Sequence, residues 1–137
     1  MRVDTCLLCD AVTVREGLLN ILSGGITEVR HQEYPAELGV SLALRVMVHP
    51  TEIAHSHQVE IILQDADGDR VTRVEIGTEP GEENSVPPGD EGEMLLAWTF
   101  PAQPKLPHPG RYSFELLIDG VHQASVPLTA SLVGGEQ

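Results

Sequence analysis

Polar and apolar residues alternate along most of this chain, which places every second side chain on one face of a strand. Leu42, Leu44, Val46 and Val48 alternate with Ser41, Ala43, Arg45 and Met47. Val59, Ile61 and Leu63 alternate with Glu60, Ile62 and Gln64. The pattern returns at Met94, Leu96, Trp98 and Phe100, again at Tyr112, Phe114, Leu116 and Ile118, and last at Ala124, Val126, Leu128, Ala130 and Leu132. None of these segments fits a 3.6-residue period as well. The chain is expected to be all-β.

Turn residues punctuate the runs. Asp65-Ala66-Asp67-Gly68-Asp69 and Asp119-Gly120 both predict hairpins. Arg15-Glu16-Gly17 is expected to link residues 3–14 to 18–23 as a first hairpin, and Gly24-Gly25 marks a bend before Ile26–Arg30. Pro127 removes a backbone donor, so the last strand should be an edge or shift between sheets there. About eight short strands in a chain of 137 residues predict one domain over 1–137. The expected architecture is a two-layer antiparallel β-sandwich, immunoglobulin-like or jelly-roll-like. Three segments fall outside the alternation: an acidic Gly/Pro-rich loop over 77–92, a Pro-rich connector over 101–109 between the sheets, and a tail over 133–137.

The net charge of −13 sets the partners that are excluded. Nucleic acid and anionic membrane surfaces both require clustered Lys and Arg. Ten of the 21 acids lie between Asp65 and Glu93, so the acidity is local, and the 77–92 loop reads first as a solvated flap and second as a dock for a basic partner. Met1-Arg2-Val3-Asp4-Thr5 does not read as a signal peptide, and no window reaches the roughly 18 to 20 apolar residues of a membrane span. Cys6 and Cys9, three apart on a strand, should face opposite ways, remain reduced and sit in the core, which suits the cytoplasm.

Candidate chemistry is sparse. Asp65, Asp67 and Asp69 sit on alternate positions of a turn, but the glycine and the distant glutamate of a calcium loop are misplaced. His55 and His57 share one face of a strand start, with His49, Glu52 and Glu60 nearby, and are weak metal candidates. No nucleophile elbow, phosphate-binding loop or dinucleotide fingerprint is present, and Lys105 is the sole lysine, so no catalytic residue and no cofactor are expected. Trp98, Phe100, Tyr112 and Phe114 fall on the core face, which leaves Tyr34 alone as a sugar-stacking platform.

The opening block is distinctive. Asp4, Cys9-Asp10 and Arg15-Glu16-Gly17-Leu18-Leu19-Asn20-Ile21-Leu22-Ser23-Gly24-Gly25 resemble the signature of a family of short bacterial, often actinobacterial, β-sandwich proteins classed as a domain of unknown function. Pro107-His108-Pro109-Gly110-Arg111-Tyr112-Ser113-Phe114 and Asp119-Gly120 resemble that family's C-terminal hairpin. The resemblance implies a fold and no activity. From the residues, Asp10 and Asn20 are expected to hydrogen-bond backbone at the first hairpin and Arg15 to pair with an acid. The expected function is non-enzymatic, through a protein partner or a homodimer. Ile62, Met47, Leu95 and Leu117, apolar at outward positions, are its expected patch. The alternative is a small-ligand or metal-binding sandwich module.

Overall fold

The alternating segments become the strands of two facing sheets in the computed structural model, which describes residues 1–79, 92–100 and 103–133. The first sheet runs β1 (Arg2–Cys9), β6 (Ser41–Val48), β9 (Gly92–Trp98) in spatial order, all antiparallel. The second runs β4 (Glu28–His31), β12 (Val121–Leu132), β11 (Gly110–Ile118), β7 (Gln58–Asp65), β8 (Arg70–Gly77). Within it, β4 lies parallel to β12 and the other pairs are antiparallel. This strand order is that of an immunoglobulin-like sandwich whose leading strand is shared between the sheets, not that of a jelly roll.

Most side chains on the alternating apolar faces turn inward, whereas Leu132, at the end of β12, is exposed. Leu42, Leu44, Val46 and Val48 meet Val59, Ile61, Leu63, Tyr112, Phe114, Leu116 and Ile118 in one core. Phe100 bridges the layers, edge-on to Trp98 at 6.1 Å and tilted against Phe114 at 6.3 Å. Tyr112 is buried, and its hydroxyl donates to the His108 carbonyl at 2.5 Å, four residues upstream. That bond at the mouth of β11 is the tyrosine corner of immunoglobulin-like domains. Pro127 pairs with Ser113 on one side, whereas β4 flanks β12 only at Thr129–Leu132, so the proline occupies a stretch of free edge.

Twelve strands are present among the described residues, against about eight expected. Eight of them build the two sheets, and four are short additions. One addition pairs β5 (Ala36–Glu37) with β10 (Lys105–Leu106), within the connector that carries the chain from β9 to β11. The other pairs β2 (Ala11–Arg15) with β3 (Leu18–Leu22). A short helix, α1 (Pro50–Ile53), is also present, capped by His49 and Glu52 and preset by Pro50.

The run 3–14 is therefore two strands in two different sheets. On one straight strand Cys9 and Val12, three apart, would face opposite ways. A bend at Asp10 folds the chain back, so both enter a second, smaller apolar cluster with Ala43, flanked by Leu7, Leu19 and Ala97. The β2–β3 hairpin thus lies over the outer face of the first sheet as a partial third layer. Residues 80–91, 101–102 and 134–137, which hold most of the acidic loop and of the tail, lie outside the described residues.

Candidate functional site

Antiparallel pairing decides which hairpin residues share a face, because directly opposed residues point the same way. Val12 opposes Ile21 and Val14 opposes Leu19, and this face turns toward the first sheet, with Val12 buried, Leu19 half-buried, and Val14 and Ile21 still exposed. Ala11 opposes Leu22, Thr13 opposes Asn20 and Arg15 opposes Leu18; all six of these residues are exposed. Leu18 is 66 % exposed and Leu22 60 %.

Two backbone features place the hairpin. Glu16 and Gly17 both have positive φ, 54° and 73°, as the two-residue turn between paired Arg15 and Leu18 requires. Gly24 lies where a Cβ would come within 2.9 Å of Ile21 Cγ2 and 3.3 Å of Leu7, so a larger residue would force those side chains to shift. The amides of Gly25 and Ile26 then both donate to the Leu8 carbonyl, at 2.8 and 3.0 Å, and re-anchor the chain. Beneath the tip lies a cavity of about 360 Å³ lined by Gly17, Leu18, Leu19, Arg45, Glu93 and Leu95. Arg45 is already engaged there by Asp4 at 2.6 Å and Glu93 at 2.8 Å.

The charged hairpin residues behave differently from expectation. Asn20 does donate to a backbone carbonyl, that of Leu18 at 3.4 Å. Arg15 pairs with no acid among the described residues, and the Asp10 carboxylate accepts no hydrogen bond there. Only the Asp10 amide is engaged, donating to Leu22 at 3.0 Å. Both side chains are exposed and unpaired among the described residues.

The expected apolar patch does not form. Met47 and Leu95 sit on the outer face of the first sheet, Ile62 and Leu117 on the outer face of the second, and all four are half-buried. Register places Leu95 beside Arg45, and Ile62 beside Arg73 and Glu115. Long polar neighbours cover much of these side chains. Among the described residues the exposed large apolar side chains are instead Val14, Leu18, Ile21 and Leu22, gathered on the hairpin, and Val121, Leu132 and Val133 on and just after β12.

The titratable candidates are tied into the fold. His57 Nδ1 lies 2.7 Å from Asp119 Oδ2 and Nε2 lies 2.7 Å from the Glu52 carbonyl. Both partners are acceptors only, so the two contacts are both satisfied as hydrogen bonds when the ring carries both protons, a form with no lone pair for a metal. Burial alone would lower its pKa; the hydrogen bonds to Asp119 and Glu52 and their charges outweigh this and hold it above the ordinary 6.5. The Gln58 amide, followed by His57, keeps the Asp119 carboxyl below its usual 3.8. His57 therefore stabilises the fold fully below about pH 6.5, and that contribution fades as pH rises through its raised pKa. Thermal melts should show a midpoint that falls on this alkaline limb, and His57→Gln should flatten the limb. His55 is exposed; its amide donates to the same Glu52 carbonyl at 3.1 Å, and both histidines line one cavity of about 350 Å³.

Asp65 Oδ1 accepts from the amides of Asp67 and Asp69, both at 2.9 Å, and so closes the β7–β8 turn. The three carboxylates come within 4.8 Å of one another, but this acceptor is committed to backbone and the other two residues are exposed. Glu60 is paired with Arg73. Cys6 and Cys9 are free thiols on opposite faces of the first sheet, in different clusters, and burial pushes Cys6 up to about 11. Burial, helped by the Asp10 charge, also raises Cys9. Neither forms a ready thiolate. Tyr34 is no platform: it packs on the main core and its hydroxyl donates to Ser131 at 2.8 Å.

One cluster escaped the sequence reading. His122, Ser125 and Glu115 meet on the outer face of β11 and β12. These are the residue types of a hydrolytic triad, but the geometry differs. Both Glu115 and Ser125 contact the same ring nitrogen, Nε2, and the Ser125 hydroxyl lies 2.5 Å from Glu115. A triad needs acid and nucleophile on opposite nitrogens.

A sequence profile of the DUF6941 family, a family of unknown function, matches residues 4–131. The chain belongs to that family. The match spans both sheets and the hairpin, whose block from Asp4 to Gly25 carried the resemblance. No curated protein matches the sequence.

Proposed function

We propose that this DUF6941 protein is a non-enzymatic, protein-binding module whose contact surface is the outer face of the β2–β3 hairpin. The observation that carries this reading is the run Leu18-Leu19-Asn20-Ile21-Leu22, apolar at both parities. Strands of that kind are ordinarily covered on both faces. Here the body of the protein covers Val12 and much of Leu19, leaves Ile21 37 % exposed, and leaves Leu18 and Leu22 in water. The metal and small-ligand alternative has weaker support, since both ring nitrogens of His57 and Oδ1 of Asp65 are engaged inside the fold. Buried free thiols suit a reducing compartment, and we place the protein in a bacterial cytoplasm.

The test is site-specific photo-crosslinking in cells making the full chain. A probe at Leu18 should give discrete protein adducts, and one at Ala66, in the turn of the other sheet, should not. Equal labelling at both positions, or none at Leu18, contradicts the reading.

A further inference from the structure

We propose that the partner seated on the hairpin is a second copy of this chain, stacked face to face about a two-fold axis with the two hairpins running tip to base. The proposal rests on the reading of the hairpin face as a contact surface. A two-fold contact requires one patch to complement itself. The outer face consists of three rungs: Arg15 with Leu18 at the tip, Thr13 with Asn20 in the middle, Ala11 with Leu22 at the base. An axis crossing the strands at the middle rung lays the tip rung of each copy on the base rung of the other. Leu18 of each chain then covers Leu22 of the second copy, so both exposed leucines are removed from water twice over. Thr13 and Asn20 meet their own equivalents near the axis, where hydroxyl and amide groups satisfy one another.

Charge fixes the direction of stacking. Arg15 stands at the tip and Asp10 at the base, and neither side chain has a hydrogen-bond or ion-pair partner within the chain's described residues. Running tip to base, Arg15 lies over Ala11 of the second copy, whose small side chain leaves the guanidinium room to reach Asp10 of that copy. Two such pairs form per dimer. The opposite arrangement, tip to tip, gathers both arginines at one end and both aspartates at the other, which is repulsive. The outer edges of the second sheet suit self-pairing less well. β4 carries Glu28 and Arg30, and β8 carries Arg70, Arg73 and Glu75, whereas β3 carries no charge at all. Six outward side chains per copy fall well short of the roughly 20–30 residues a side of a standard interface, so the dimer is expected to be weak and concentration-dependent.

The experiment is sedimentation velocity on the purified full chain up to millimolar concentration at low salt. The wild-type protein should shift toward dimer as concentration rises. Asp10→Arg and Arg15→Glu, each of which turns both pairs into like-charge contacts, should weaken association roughly tenfold. The double reversal should restore it, and unchanged melting curves of these exposed-site variants exclude misfolding. A chain that stays monomeric throughout, or single reversals without effect, or a double variant that fails to recover, overturns the proposal. Failure here is separable from failure of the contact-surface reading. Adducts from Leu18 to other proteins, with a monomeric purified chain, remove the second copy and keep the surface; no adducts at all remove both.

Discussion

Truncating Leu44 to alanine is expected to cost ~2–5 kcal/mol of stability, and truncating Leu18 to alanine no more than about 0.5 kcal/mol. Both leucines lie on strands of the same half of the molecule, yet they differ in what surrounds them. Leu44 is fully buried on the central strand of its sheet, between β1 and β9, and faces the second sheet across the core. Removing its branched end leaves a cavity that close-packed neighbours fill only in part. Leu18 stands in solvent at the hairpin tip, so alanine there removes little packing. Urea unfolding followed by tryptophan fluorescence checks both, since the one indole, Trp98, lies on β9 beside Leu42. A large loss from Leu18→Ala in the monomer would mean that the outer face is already covered by the chain itself.

Asp65→Ala is expected to cost ~2–3 kcal/mol, whereas Asp67→Ala and Asp69→Ala should each stay within about 0.5 kcal/mol. The three acids look equivalent in the sequence, and the structure separates them. One oxygen of the buried Asp65 takes two backbone amides, and without it two donors in the tightest part of the turn lose their partner. Asp65→Asn keeps a carbonyl oxygen in that position and should recover most of the loss. Equal costs at all three positions, or recovery of Asp65→Ala on adding calcium, would instead make the cluster a cation site.

These two predictions mark where sequence reading reached and where it stopped. The main core was legible because period-two alternation survives in β7, β11 and β12 and in the second half of β6, where one face is buried more deeply than the other. The hairpin turns were legible because Gly17 and Asp119-Gly120 are residues that tolerate positive φ, which Glu16 adopts beside Gly17. The split of the first run at Asp10 was not, because a one-residue bend leaves no compositional trace and Val12 continues the apolar pattern after Cys9. The outward residues Met47, Leu95, Ile62 and Leu117 misled for a related reason. Strand parity says which face a side chain takes, while its coverage depends on cross-strand neighbours such as Arg45 and Arg73 that only register supplies. The raised pKa of His57 was hidden too. It arises from Asp119, on a turn 62 residues away, and from the carbonyl of Glu52. A signal for the hairpin did exist. Leu18 to Leu22, apolar at both parities, already required cover on two sides.

The central claim is that one face of this hairpin is fastened to the sandwich and the other is left for a partner. Nuclear magnetic resonance with a soluble paramagnetic relaxation agent tests it most directly. In dilute solution Leu18, Asn20 and Leu22 should be strongly broadened while Cys9, Val12 and Leu19 are spared, and the outer residues should regain intensity as the chain is concentrated. Even broadening of both faces, or outer leucines shielded from the start, would contradict the account.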